Sequence, residues 1–193
     1  MPVATTKHIK RAATIQVHVS LLDQLFNSID PSPFHSRDID PAAEQYILDS
    51  GRELPREGPL ALMIHLDQPP QQDEKTAQVE SAIHTHFAAR AASQRAALKD
   101  LFKRGRISLL IGLTCLAGAI AAVEYTKSWL PEGGMADLLR EGFLIGGWVA
   151  MWRPMEVFLY DWWPLKAHIR LLDRLAAMPV RVVHRHAKGV SPP

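Results

Sequence analysis

Residues 107–123 read ISLLIGLTCLAGAIAAV, an uncharged run of 17 residues. Residues 142–163 read GFLIGGWVAMWRPMEVFLYDWW, a second apolar stretch of 22 residues with three charged interruptions. At about 1.5 Å per residue, a helix of roughly 20 residues crosses the hydrocarbon core of a bilayer. The two stretches therefore predict a transmembrane helical hairpin (107–163). Its parts are spans over about 107–125 and 142–163 and an outer loop at 126–141.

The distribution of positive charge predicts the orientation of this hairpin. Six Lys or Arg residues lie in 88–106, five in 164–186 and two in 124–141. Because cytoplasmic flanks carry the excess of positive charge, both termini are expected to face the cytoplasm. The basic N-terminus lacks the apolar core of a signal peptide. We therefore expect a multi-pass protein of the cell inner (cytoplasmic) membrane.

The composition argues against nucleic acid as a partner and against sites built from cysteine. The formal net charge of +2 is too small to favour nucleic acid, whereas basic flanks beside a bilayer favour anionic lipid. The single cysteine, Cys115, lies within the first apolar run, so a disulfide framework and a cysteine-based metal site are both ruled out. The sequence predicts no cofactor and no bound metal.

The N-terminal half predicts a small βαβ unit. Apolar residues alternate from Ala13 to Val19, which is the period of a half-buried strand. Asp40 followed by Pro41 indicates a helix start, and residues 59–66 (PLALMIHL) predict a second strand. Two strands alone bury too little surface to be stable, so this unit is expected to lean on a following helix, another copy or a partner.

The remaining segments complete an α+β prediction. Residues 73–106 form a long polar helix with a thin apolar stripe, interpreted as a basic stalk or as half of a helix–helix contact. After Pro164 the spacing of apolar residues predicts an amphipathic helix on the cytoplasmic surface, followed by a mobile basic tail. The predicted organisation is 1–72 (cytosolic domain), 73–106 (stalk), 107–163 (hairpin) and 164–193 (cytosolic helix and tail).

Small residues in both predicted spans indicate a helix-packing seam. At 100° per residue, one face of the second span, about 120° wide, carries small residues and a polar group. Its members are Gly142, Gly146, Ala150, Arg153, Glu156 and Tyr160. The first span offers Thr114, Gly118 and Ala122. Small residues let helices approach closely, so we expect the two ridges to pack on each other or on a neighbouring copy.

The charged residues Arg153 and Glu156 form the predicted intramembrane polar pair, with Tyr160 one turn further on. An ionised residue at the bilayer centre costs about 2.5–3.5 kcal/mol, so the pair must be compensated. The i, i+3 spacing allows a salt bridge, and Pro154 frees a backbone carbonyl at Ala150. We interpret the pair as fixing helix register and assembly. A proton or ion relay and contact with a charged partner helix remain alternatives.

A polar loop precedes the predicted helix start. It carries Asp30, His35, Arg37, Asp38 and Asp40. Their order matches neither a calcium-binding loop nor a zinc spacing. We interpret the loop as structural, with partner contact and metal binding or catalysis as alternatives.

Three segments resemble a group of small bacterial inner-membrane proteins without an assigned function. They are residues 21–47 (LLDQLFNSIDPSPFHSRDIDPAAEQYI), 105–113 (GRISLLIGL) and 152–164 (WRPMEVFLYDWWP). The resemblance implies a bacterial origin and a two-span plan. It supplies neither an activity nor catalytic residues.

These features favour an assembly or adaptor role, as a homo-oligomer or as an accessory subunit of a larger membrane complex, without catalysis. One alternative is a small oligomeric transporter or channel in which the polar pair and Tyr160 line a seam between copies. Another is a membrane-tethered, metal-dependent enzyme that uses the loop at 30–44. No nucleophile elbow, phosphate-binding loop or dinucleotide fingerprint occurs in the sequence, so the enzyme is the least supported class.

Overall fold

The structure is a computed structural model that describes residues 13–27, 37–55, 57–67, 74–129 and 133–184. The chain divides into two compact units. Met1–Ser93 together with His168–Pro193 make the first, here called the sheet unit. Gln94–Ala167 make the second, here called the helical unit. The sheet unit is therefore discontinuous in sequence, and the helical unit is inserted into it.

The elements confirm a mixed α+β protein. They follow in the order β1 (Ala13–Val19), a 3-10 turn (Leu22–Leu25), α1 (Pro41–Glu53), β2 (Leu60–Leu66), α2 (Glu74–Trp129), α3 (Gly134–Glu156), a π-helical segment (Val157–Asp161), α4 (Trp162–Ala176) and β3 (Val180–His184). Helix α2 belongs to both units, because the boundary falls after Ser93.

The predicted βαβ unit is confirmed. Strands β1 and β2 pair in parallel, with Ile15 beside Leu62 and Val17 beside Ile64. Helix α1 lies between them in sequence and begins where Asp40 and Pro41 predicted. One carboxylate oxygen of Asp40 accepts hydrogen bonds from the backbone N–H groups of Ala42 and Ala43. This cap satisfies backbone donors that the first turn of a helix leaves unpaired.

A third strand comes from the C-terminal segment. Strand β3 pairs in parallel with β2, so the order in the sheet is β1-β2-β3. This corrects the prediction of a mobile tail for residues 181–184; residues 185–193 lie outside the described part of the chain. Another copy or a partner was one way to stabilise the two-strand unit. The chain itself supplies a third strand instead. The segment VRVVH alternates Val180 and Val182 with Arg181 and Val183, but its basic residues and those after it led to the prediction of a tail.

The described helices that pack on the sheet lie on one of its faces. The sheet contributes Ile15, Val17, Leu62, Ile64 and Val180 to the core. The helices contribute Ile47, Leu48, Val79, Ile83, Phe87, Ala91, Leu171, Leu172 and Leu175. Crossovers between parallel strands are right-handed in nearly all proteins, and the strand order advances in one direction. Successive crossovers therefore fall on the same face.

Two sequence interpretations are corrected by this core. Val79, Ile83 and Phe87 were interpreted as the apolar stripe of a stalk or of a helix–helix contact; each is fully buried in the sheet unit, so α2 is the following helix on which the βαβ unit leans. Leu172 and Leu175 were assigned to a helix on the membrane surface, and they are buried in the same core. Periodicity shows that a helix has an apolar face, but it does not show whether protein or lipid covers that face.

The opposite face of the sheet is open among the described residues. Gln16, Met63 and Arg181 form one cross-strand row, and His18, His65 and Val183 form the next. None of these six residues is buried, and Gln16, His18 and Val183 are exposed. Parallel sheets are nearly always covered on both faces. The described helices cover one face of this sheet. We call the other, on which Ala61 is buried but the two rows above are not, the open face.

Candidate functional site: a helix pair and a charged cluster

The helical unit contains two packed helices, α3 and the part of α2 that follows Ser93. We call them the helix pair. A side chain at Gly147 would meet Leu116 at 2.9 Å and Ala119 at 3.1 Å. A side chain at Gly105 would meet Val157 at 2.7 Å. Residue numbers rise along one helix where they fall along the other, so the two helices are antiparallel. Because glycine has no side chain, it lets the two helices approach each other closely at these positions.

The surface of the helix pair is strongly apolar. Exposed large side chains include Leu110, Ile111, Ile120, Ile145, Trp148, Val149 and Trp152, each more than half exposed. Within Gln78–Thr126, helix α2 is long and apolar enough to cross a membrane, judged by length and composition, and almost none of its most apolar part is buried. Among the described residues this is the one helix that meets those criteria. The second predicted span does not meet them.

The polar pair forms a salt bridge on the outer surface of the helix pair. Arg153 Nη1 lies 2.9 Å from Glu156 Oε2 and 4.0 Å from Asp161 Oδ2. The Arg153 side chain is 69% exposed and that of Glu156 is 42% exposed. The i, i+3 bridge that the spacing allowed is therefore present. It lies outside the contact between the two helices.

The contacts also give the level of this pair along the helices. Gly112 lies beside Ala150, Met151 and Pro154, and Gly105 lies beside Val157. Arg153 is consequently level with about the second turn of the apolar run that begins at Ile107, and Glu156 with its first turn. At 1.5 Å per residue, they are about 6 Å and about 10 Å from the level of Cys115, the middle of that run. The pair lies between the centre and one end of the apolar region.

The predicted small-residue ridges do not pack on each other within the chain. A side chain built at Gly118, Gly142 or Gly146 would meet no atom within 4 Å. Thr114 is exposed, Ala122 is half-buried, and Ala150 contacts Gly112 through its carbonyl oxygen. The intrachain contact uses Gly105, Gly112 and Gly147 instead, because these glycines lie on neighbouring faces of the same helices. Packing of the predicted ridges on a neighbouring copy stays a prediction.

The continuous helix α3–α4 changes its winding after the polar pair. Pro154 has no N–H to give to the carbonyl of Ala150. The N–H of Val157 is within bonding distance of the carbonyls of both Arg153 and Pro154, and the π-helical segment Val157–Asp161 follows. Tyr160 lies in this segment and is 70% exposed. The wider turn shifts every later side chain from the direction that 100° per residue predicts.

A second group of charges lies on the helical side of the sheet unit. Glu44 of α1 is the one charged residue that is buried among the described residues, at 7% exposure. Its Oε2 accepts a hydrogen bond from Arg90 Nη2 at 2.8 Å. His86 Nε2 lies 3.2 Å from the same oxygen, and His86 Nδ1 lies 3.3 Å from Asp38 Oδ1. We call these four residues the charged cluster.

The electrostatics of the charged cluster favour an ionised Glu44. Burial by itself would raise the pKa of Glu44, but the hydrogen bond from Arg90 and the positive charges of His86 and Arg90 lower it below its usual value. The bond to Glu44 raises the pKa of Arg90. Burial, with Arg52 and Arg90 nearby, lowers the pKa of His168 on α4. The ion pair between Glu44 and Arg90 therefore links α1 to α2.

The charged cluster has one unsatisfied atom. The His86 side chain is only 8% exposed. Its Nε2 is close enough to Glu44 for electrostatic attraction, but it has no hydrogen-bond partner among the described residues. The two ring nitrogens of His86 therefore lie next to the carboxylates of Asp38 and Glu44.

The described residues include only part of the predicted partner loop. Asp30 and His35 lie outside the described residues. Arg37 is half-buried, Asp38 faces His86, and Asp40 caps α1. No group of three or more His, Cys, Asp or Glu side chains in the described ranges is arranged to hold a metal ion.

Sequence reasoning missed two arrangements. It placed Glu44 near the loop but did not connect it to His86 and Arg90, which follow more than 40 residues later. It also missed the stacking of His18 on His65 on the open face, with ring centroids 4.5 Å apart and an angle of 10° between the ring planes. Both depend on strand register or helix packing, so nothing local in the sequence marks them.

Comparison with known proteins adds no relative. No family model, no curated protein and no solved structure matches this chain, and the resemblance to small bacterial inner-membrane proteins stays a prediction.

Proposed function

We propose that this protein is a two-span membrane adaptor. In this proposal the helix pair crosses the cytoplasmic membrane as a hairpin. The sheet unit and both termini lie in the cytoplasm, where the sheet unit binds other components of a membrane complex. The protein performs no catalysis itself.

The sheet unit is built from two segments that are separate in sequence, and this supports the proposed two-span topology. Its core combines residues before the helical unit, such as Ile15 and Phe87, with residues after it, such as Leu172 and Val180. Segments that fold into one core must lie on the same side of a bilayer. The chain between them therefore crosses the membrane an even number of times. If α2 crosses once, α3 must cross back.

The surface chemistry of the helix pair supports insertion. A water-exposed apolar surface of this extent is unfavourable, at about 25 cal/mol per Å², and lipid removes that cost. The basic residues on both flanks of the apolar region favour the cytoplasmic leaflet. The apolar sequence 107–123 is too long and too exposed to serve as an ordinary core helix.

The open face supports a protein partner for the sheet unit. It exposes Gln16, His18 and Val183 beside the partly exposed Met63 and Arg181. Parallel sheets rarely leave a face uncovered. Transport is less well supported, because Arg153 and Glu156 are bridged to each other on the outer surface of the helix pair. If replacing Arg153 with Met and Glu156 with Gln abolishes a flux in liposomes while assembly persists, transport replaces the adaptor proposal.

Cysteine labelling tests the topology. In a Cys115→Ser background, we expect Gly134→Cys at the first residue of α3 to react with a membrane-impermeant maleimide in intact spheroplasts. Glu57→Cys in the sheet unit should react only after the membrane is permeabilised. Equal labelling of both positions before permeabilisation would contradict the proposed topology. Recovery of all the protein in the soluble fraction would contradict membrane insertion altogether.

Co-purification tests the adaptor role. Purification from native membranes in mild detergent should recover a second protein in stoichiometric amount. Gln16→Arg on the open face should lower that recovery, whereas Gln45→Arg, on the exposed side of α1, should leave it unchanged. Stoichiometric recovery that is insensitive to Gln16→Arg would place the partner elsewhere, and recovery of no second protein would argue against an accessory subunit.

A further inference from the structure

Strand β3 lies at one edge of the sheet, and no strand pairs with its outer side among the described residues. The N–H of Leu62 on β2 donates to the carbonyl of Pro179 at 3.0 Å, which fixes the groups of β3 that face β2. In a parallel ladder, alternate residues of a strand bond to the same neighbour. Arg181 therefore bonds to β2, whereas Val180 and Val182 direct their N–H and C=O groups outward.

Side chains of the protein itself cover part of each edge of the sheet. On β1, the outward carbonyl of Gln16 accepts a hydrogen bond from the Tyr46 hydroxyl at 3.1 Å, in the middle of the strand. On β3, the N–H of Val180 donates to Glu80 Oε1 at 3.4 Å, at the start of the strand. The N–H and C=O of Val182 have no such partner in the described ranges. Because an added strand bonds to unpaired groups of this kind, β3 offers the more accessible edge.

Arg181 gives this edge a positive charge that the described residues leave without a counter-charge. Its side chain is half-buried on the open face beside Met63, and it forms no ion pair within the part of the chain that the structure describes. Residues 177–193 contain Arg181, Arg185 and Lys188 but no Asp or Glu. Opposite charges on neighbouring strands attract, and like charges repel. An acidic strand beside β3 is therefore favoured, and a second copy of β3 is disfavoured.

We propose that an extended acidic segment of a partner protein adds to this sheet as a fourth strand beside β3. Its backbone bonds to the N–H and C=O of Val182, and one of its carboxylates lies on the open face beside Arg181. Its alternate side chains are apolar and extend the other face, where Val182 packs against the core. This inference rests on the proposed adaptor function and names the kind of segment that the sheet unit binds.

Binding of a short peptide tests the edge directly. The probe is a fluorescein-labelled peptide with the sequence Val-Glu-Val-Glu-Val-Glu-Val, because this alternation places Val and Glu on opposite faces of a strand. A second peptide carries Lys in place of each Glu. Fluorescence anisotropy with the full-length protein in mild detergent measures both dissociation constants. We expect the Glu peptide to bind at least tenfold more tightly than the Lys peptide.

Proline at position 182 separates the edge from the fold. Val182→Pro removes the outward N–H but leaves the bonds between β2 and β3 in place, and proline is tolerated at such edge positions. We expect at least a tenfold loss of Glu-peptide binding, with cooperative thermal unfolding retained. Gln16→Pro is the matched control, because Gln16 directs its N–H outward on the opposite edge of the sheet. This control should bind the Glu peptide like the wild type.

Charge exchange tests the contact with Arg181 and leaves the strand backbone unchanged. Arg181→Glu should weaken binding of the Glu peptide at least tenfold, because two carboxylates would then face each other. The same variant should bind the Lys peptide more tightly than the wild type does. If Val182→Pro fails to unfold cooperatively, this exchange of preference decides the question by itself.

Three results would overturn the inference. They are a wild-type protein that does not prefer the Glu peptide, a folded Val182→Pro variant that binds like the wild type, and an Arg181→Glu variant that keeps the preference for Glu. Loss of binding in Gln16→Pro alone would place the site on β1 and also overturn it. Self-association that Val182→Pro abolishes would make a second copy the occupant, with the same consequence.

The co-purification described above tests the adaptor role separately. A second protein recovered in stoichiometric amount, without binding of the Glu peptide, would leave the adaptor proposal intact and remove the strand-addition site. Binding of the Glu peptide without recovery of a second protein would support the site on β3 and argue against an accessory subunit.

Discussion

At the scale of single residues, the buried carboxylate of Glu44 carries the clearest dependence on pH. Its pKa is lowered from an ordinary value of 4.5, so the ionised form stabilises the fold at neutral pH. This contribution is lost as the pH falls through the lowered pKa. Because the Arg90 side chain is 56% exposed, solvent screening keeps the contribution below that of a fully buried pair.

We predict that Glu44→Gln lowers the free energy of unfolding by about 1–2 kcal/mol at pH 7, since Arg90 loses an ionic hydrogen bond. The difference from wild type should shrink as the pH falls through the lowered pKa of Glu44, where the wild-type carboxylate takes up a proton. Thermal unfolding in mild detergent, followed by circular dichroism, measures both values. Glu53→Gln, an exposed change on the same helix, should have little effect. A constant difference at all pH values would contradict the assigned charge of Glu44.

Two adjacent glycines on α3 provide a second prediction. Gly147→Leu should destabilise the helix pair by about 1–3 kcal/mol, because the new side chain would overlap Leu116 and Ala119. Gly146→Leu should leave the stability of the monomer nearly unchanged. Resistance of the helical unit to proteolysis in detergent compares the two variants. Equal sensitivity of both would contradict the described contact.

At the scale of elements, strand β3 decides whether the sheet is complete. Val180 is 7% exposed and faces the helices, whereas Val183 is 37% exposed on the open face. We predict that Val180→Asp lowers the free energy of unfolding by about 2–3 kcal/mol, because a carboxylate would be buried without a partner. Val183→Asp should change it by less than about 0.5 kcal/mol. The reverse order would mean that β3 pairs in a register shifted by one residue.

The elements also show which bounds of helices and strands can be predicted from local sequence patterns. The alternation from Ala13 to Val19 and the Asp40–Pro41 boundary correctly predicted β1 and the start of α1. The boundary drawn at residue 106 between a stalk and a span falls inside one helix, since α2 continues from Glu74 to Trp129. A change in composition marked a change of surroundings, from protein core to exposed apolar surface, rather than an end of the helix.

At the scale of the whole molecule, the structure predicts that the sheet unit folds without its insertion. Every residue of the main core cluster belongs to that unit. We predict that replacing residues 94–167 with about 12 Gly and Ser residues, which span about 20 Å, gives a soluble protein that unfolds cooperatively. Residues 1–93 alone should aggregate, because they lack Leu172, Leu175 and β3. Cooperative folding of residues 1–93 alone would contradict the shared core.

The sequence by itself determined the apolar and basic character of each segment, the first strand and helix, the i, i+3 ion pair and the mixed α+β class. These are local properties, fixed by spacings of a few residues. Only the tertiary structure decided that Val180–His184 completes the sheet and that Glu44 meets His86 and Arg90. Tertiary packing also placed Gly118, Gly142 and Gly146 outside the helix contact. Each of these depends on which faces meet, and a helix or strand pattern shows that an apolar face exists without showing what covers it.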